Sequence, residues 1–146
     1  MRDTIPGQVT VSLERPRWAY VLDGLDEAAM TADRPGHCYC PEAGGDDICA
    51  GCAASMERAH TYRGLAERIR NKVGAVEGDG WGSLTLPASD WVTAVRGLRE
   101  AAGILMDTGV SAASEEWADR VRVAMEIRAV ARAVRRCVRA ARRDPF

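Results

Sequence analysis

Four cysteines sit in one short polar segment with the spacing Cys38-x-Cys40-x8-Cys49-x2-Cys52. Thiolate sulfur is a favoured ligand of structural zinc, which takes four ligands in a tetrahedron. A C-x-x-C turn presents two sulfurs to one ion and often leads into a helix. Here Cys52 falls where a helix is expected to begin, so backbone N–H groups and the helix dipole would stabilise thiolate. His37, next to Cys38, is the substitute ligand if one sulfur turns away. An iron–sulfur cluster and plain reduced cysteines remain as alternatives to zinc. A quartet of thiolates leaves no open position for a catalytic water, so the expected Zn2+ is structural. The zinc-deaminase pattern is missing: His37 is followed by Cys38 and Tyr39, and Ile48 precedes Cys49. Cys137 lies far away on an apolar helix face and reads as a core residue.

A second candidate for chemistry is the C-terminal segment. Arg128, Arg132, Arg135, Arg139 and Arg142 recur at helical spacing, and Arg136 and Arg143 fall on the same side. Guanidinium groups in such a row suit phosphates or carboxylates. Three roles compete: a solvated helix face neutralised by the rest of the chain, a nucleic-acid contact, and docking on an acidic protein or an anionic membrane surface. The opposite face carries Val123, Ile127, Val130, Val134, Cys137 and Ala141, an apolar seam that also fits pairing with a second copy. Trp117, Val121 and Met125 lie on the side that later becomes arginine. The first turns are therefore expected to bury a different face from the last ones.

Bulk composition constrains these readings. The chain has 146 residues, 47% hydrophobic and 28% charged, an ordinary globular balance. Its net charge of −1 conceals an asymmetry. Residues 119–146 carry nine arginines and three carboxylates, a net of +6, which leaves −7 on residues 1–118. Lys72 is the sole lysine. The sequence pI of about 6.1 argues against a dedicated nucleic-acid module, for which values above roughly 9 are usual. No apolar run reaches the roughly 18–20 residues that span a bilayer, and the first residues lack a signal-peptide layout. The expectation is a cytoplasmic protein with reduced thiols. No nucleophile elbow, phosphate-binding loop or H-E-x-x-H helix is present, so a non-enzymatic role is expected. His60 reads as a surface or partly buried side chain. An enzyme would need a concave pocket lined by His60, Tyr62 and acidic groups.

The elements that would position these residues follow from hydrophobic period. Val9, Val11 and Leu13 alternate as a short strand. A helix over about 15–31 places Trp18, Leu22, Leu25 and Ala29 on one face, with Pro16 tolerated in its first turn. A second helix over about 51–73 carries the stripe Met56, Ala59, Tyr62, Leu65, Ala66, Ile69 and Val73. Leu84 and Leu86 mark a second strand over 83–86. A third helix spans 88–106, with Trp91, Val95, Leu98, Ala102 and Leu105, and a fourth runs from Ser114 to about 143. Residues 13–29 align without gaps on 86–102 with seven identities, among them Trp18/Trp91, Gly24/Gly97 and Leu25/Leu98. This points to a duplicated strand–helix–helix unit, with copies at about 8–73 and 83–143 joined by a linker at 74–82. Only the first copy has the cysteine loop, 37–52.

The expected fold is thus all-α in class: one four-helix bundle-like domain over 1–146, with a minimal two-stranded β ribbon and a zinc-stabilised loop. The expected function is a small binding or regulatory protein acting by protein–protein contact, as a homodimer through the C-terminal seam or with another chain. The alternative is a DNA- or RNA-binding regulator using the arginine row.

Overall fold

The structure is a computed structural model and describes residues 7–33, 48–74, 80–107 and 115–143. It is mostly helical, with four helices and one two-stranded sheet. The order is β1 (Gln8–Glu14), α1 (Arg15–Ala32), α2 (Ala50–Val73), β2 (Trp81–Pro87), α3 (Ala88–Met106) and α4 (Glu115–Arg143). Each strand runs straight into a helix. Pro16 sits in the first turn of α1, where its missing N–H costs nothing. Gly74, at φ 76°, closes α2 and returns its N–H to the Arg70 carbonyl.

β1 and β2 pair antiparallel, and Val11 faces Leu84 at the centre of the register. Alternation puts Val9, Val11, Leu13, Leu84 and Leu86 into the core. On the outer face, Thr10 hydrogen-bonds Thr85 and Ser12 hydrogen-bonds Ser83, each at 2.6 Å. The contacts on the two sides of this ribbon correspond at an offset of 73 residues. Trp18 Nε1 donates to the Gly82 carbonyl, and Trp91 Nε1 donates to the Val9 carbonyl, both at 2.9 Å. The Arg15 N–H donates to Gly80 O, and the Ala88 N–H donates to Gly7 O. Gly7 and Gly80 both have positive φ, which suits glycine. The Val11–Leu84 pair maps onto itself, so a local two-fold axis passes through it.

The expected linker at 74–82 ends earlier than the glycine content implied, because Trp81 and Gly82 belong to β2. The reason is packing. A Cβ at Gly82 would lie 3.0 Å from Trp18 Nε1, so the absent side chain lets the indole reach the strand carbonyl.

α1 packs chiefly on α2 and α3 chiefly on α4, while α1 and α3 meet between them. The indoles of Trp18 and Trp91 lie 6.1 Å apart in this centre, and both are fully buried. Gly24 and Gly97 mark two close approaches. A Cβ at Gly24 would stand 2.6 Å from Leu98 Cδ2, and one at Gly97 would stand 2.9 Å from Leu25 Cδ2. Each glycine receives the leucine that follows the other. The second helices correspond as well: Ala59, Tyr62, Leu65, Ala66 and Ile69 are buried in α2, and Ala124, Ile127, Val130, Ala131 and Val134 in α4. No helix among the described residues is long and apolar enough to cross a membrane.

Two expectations for α4 change. Ile127, Val130 and Val134 are buried in the chain's own core, joined there by Ala131 and Val138. The seam expected to pair with a second copy is therefore consumed by packing against α3 and α1. Nor does the helix bury its other side at the start, because Met125 is 61% exposed and Trp117 and Val121 are only half-buried. Ala124 already faces the core, and the inward face keeps one direction from there to Val138. Cys137 is half-buried and packs against the core, on the side the sequence assigns to it.

Candidate metal and docking sites

Of the expected metal ligands, Cys38 and Cys40 lie outside the described residues, as does His37. Cys49 and Cys52 form one end of the quartet. Cys49 is the N-cap of α2, and its Sγ accepts a hydrogen bond from the Cys52 N–H at 3.4 Å. The Cys49 carbonyl accepts the first helical bond, from Ala53. A cap position normally taken by Ser, Thr, Asp or Asn is thus filled by sulfur. Both thiols are half-buried at the N-terminal end of α2. Among the described residues, no group of three or more His, Cys, Asp or Glu side chains is placed to hold a metal ion, and of the expected four ligands only Cys49 and Cys52 are described.

The histidine and tyrosine of α2 are not brought together. His60 is exposed, whereas Tyr62 is buried two residues on, so they occupy different sides of the helix. Tyr62 Oη is buried without a partner of hydrogen-bond geometry. Burial, and secondarily the neighbouring Glu100 carboxylate, push Tyr62 up to about 12, so the phenol stays protonated near neutral pH. The ring lies against Gly97, where it acts as a packing surface.

Six arginines of the α4 row are on the outside. Arg128, Arg132, Arg135, Arg136, Arg139 and Arg142 are exposed, and the side chain of Arg143 lies outside the described residues. Among the described residues, no ion pair closes on any of these six. The contrast with α2 is direct. Arg58 pairs with Glu100, Arg63 with Asp33, Arg68 with Asp90 and Arg70 with Asp26. Among the described residues, pairing in α4 is confined to the first turns, where Arg120 meets Glu116 and Arg122 meets Asp119. The described carboxylates thus pair with the arginines of α2 and not with the α4 row.

A groove of about 400 Å3 runs between α3 and α4. Its apolar lining comes from Trp91, Val92, Val95 and Val138; Arg96, Arg99 and Arg135 stand at its rim with Glu100, whose carboxylate pairs with Arg58 of α2. Sequence reasoning passed over Arg96 and Arg99, because a helix with two arginines is unremarkable alone. The signal lay in the alignment of 13–29 with 86–102, which sets Asp23 against Arg96 and Asp26 against Arg99. On α1, burial, then the Asp26 charge, raise the Asp23 carboxyl above its ordinary value, and Arg70 opposes the shift.

Protein-family models, curated proteins and solved structures were all compared with the chain, and none matches.

Proposed function

We propose that the chain is a non-enzymatic, zinc-stabilised binding or regulatory protein that acts by protein–protein contact, with the arginine face of α4 docking on an acidic partner. The observation that supports this is the row of six exposed guanidiniums with no carboxylate partner among the described residues. Apolar groups continue the same line of the helix, with half-buried Trp117 and Val121 and exposed Met125. A protein surface can use both parts of such a stripe, whereas a phosphate backbone uses only the cations.

Nucleic-acid binding is the second reading, favoured by the length of the row. Arg128 and Arg142 are fourteen steps apart, about 21 Å at 1.5 Å per residue, enough to follow several phosphates. An affinity pull-down from host lysate with and without nuclease separates the two. The protein reading expects a partner that survives nuclease and is lost from Arg132→Glu with Arg139→Glu. Loss on nuclease treatment would transfer the role to nucleic acid. So would binding to random duplex DNA that weakens by about 10³ or more between 50 and 200 mM salt.

The zinc belongs to the same proposal. Cys38, Cys40, Cys49 and Cys52 would hold one Zn2+, and the capping geometry of Cys49 supports the second half of that set. The ion would supply cross-linking and no chemistry, tying the α1–α2 connection to the start of α2. Elemental analysis of the purified protein is expected to give one zinc per chain, absent from Cys49→Ser with Cys52→Ser. Full metal content and unchanged thermal stability in that double variant would refute the site. The correspondence at 73 residues across the strands and first helices, and at 65 residues between α2 and α4, is best read as a duplicated strand–helix–helix unit, with the cysteine loop confined to one copy.

A further inference from the structure

Among the described residues, the outer surface of α1 is an acidic ridge. Asp23, Asp26 and Met30 lie at i, i+3 and i+7 on one face, all exposed, and Met30 is 65% exposed. The corresponding surface of α3 has Val92, Arg96 and Arg99, with Val92 43% exposed and Arg135 of α4 adding a third cation at the groove. Each surface therefore combines an exposed apolar side chain with two charges one helical turn apart, and the charges are opposite. Among the described residues, Arg96, Arg99 and Arg135 have no ion pair within the chain. Asp26 has one, with Arg70 at 3.2 Å, but both side chains are about half exposed. An exposed pair of that kind contributes roughly 0–1 kcal/mol and is readily exchanged for another partner.

We infer that the α3–α4 groove is a self-association site whose occupant is the α1 ridge of a second copy, with Asp23 and Asp26 against Arg96, Arg99 and Arg135, and Met30 over Val92 and Val95. Charge complementarity selects this occupant, since both halves of the contact are present on every chain. Val92, 43% exposed at the groove, gives the contact an apolar surface to bury besides its charges. Because each copy carries one ridge and one groove, reciprocal use closes a pair and one-sided use propagates a chain of copies. This contact is separate from the arginine row proposed to meet a foreign partner, and purified protein alone tests it.

Sedimentation velocity across a concentration series, at low and at moderate salt, reads the association. The wild type is expected to exceed monomer mass at low salt and to dissociate as salt is added, because the rim charges are screened beyond about 10 Å at 0.1 M. Arg96→Asp with Arg99→Asp makes both surfaces acidic, and Asp23→Arg with Asp26→Arg makes both basic. Each double variant alone is expected to associate at least about tenfold more weakly. An equimolar mixture of the two is expected to recover a mixed complex near the wild-type affinity. That recovery also shows that both variants are folded. A wild type that stays monomeric at low salt would overturn the inference and leave the groove to a foreign acidic helix. So would association that survives either charge reversal, or a mixture that fails to recover it.

Discussion

At one aligned position of α1 and α3 stand Asp23 and Arg96, and one turn on stand Asp26 and Arg99. Inward from these pairs α1 and α3 make matching contacts: each indole donates to a carbonyl on the opposite strand, and each glycine receives the leucine that follows the other. Outward they diverge in sign. The second helices diverge similarly: Arg58, Arg63, Arg68 and Arg70 of α2 meet carboxylates, and among the described residues none reaches the row from Arg128 to Arg142 of α4. Interior positions are constrained by packing across a shared axis, where a change on one side must be matched on the other. Surface positions carry no such constraint, so charge can be allotted to separate tasks without disturbing the frame.

The largest expected effect probes the agreement. Trp18→Ala and Trp91→Ala should each cost about 3–5 kcal/mol by chemical denaturation. Their sum should exceed the cost of the double variant, because the rings lie 6.1 Å apart and share one site. Strict additivity would show that the two halves of the ribbon are independent. The next effect separates the glycines. Ala at Gly97 meets both Leu25 and the buried Tyr62 ring at 3.1 Å, whereas Ala at Gly24 meets one leucine methyl within 3.4 Å. Gly97→Ala should therefore lose about 1–2 kcal/mol net, and Gly24→Ala should be near neutral, as its helix-propensity gain of about 1 kcal/mol offsets the crowding.

Tyr62→Phe tests an imperfection. Its counterpart, Ile127, also touches a glycine and has no polar atom to satisfy. Removing the unpartnered Oη should leave stability unchanged or raise it by up to about 1 kcal/mol. Smaller still, Arg70→Gln should cost about 0.2–1 kcal/mol and Arg135→Gln nothing measurable in the monomer, since only Arg70 has a carboxylate. Asp23→Asn should give a small gain at neutral pH. A carboxyl whose pKa is raised by folding disfavours the folded state once ionised. The gain should therefore vanish as pH falls below the ordinary Asp value of 3.8.

Much of the scaffold was legible because period and punctuation agreed. The stripe Ala59–Tyr62–Leu65–Ala66–Ile69 is the buried face of α2, and α3 has the bounds that its apolar period implied. Trp81 and Gly82 were misread because four glycines between 74 and 82 look like a linker. Only the partner indole reveals why one of them is in a strand. The start of α4 misled for another reason. Trp117, Val121 and Met125 form a helical stripe, but apolar spacing cannot say whether anything lies opposite it. Of the metal site, Cys49 and Cys52 fall within the described residues, and the sulfur cap between them was not foreseeable from spacing alone. The groove rim escaped because its meaning is relational: Arg96 matters by contrast with Asp23.

The ribbon also bears on synthesis. Among the described residues β1 pairs with 81–87, so the first-made strand leaves the ribosome before that partner and with Trp18 lacking its acceptor on Gly82. Until β2 emerges, the nearest available match for β1 is the same strand on a neighbouring nascent chain, aligned on Val11. Two chains made side by side on one message thus risk trading halves, and slow translation through 75–80 would widen that window.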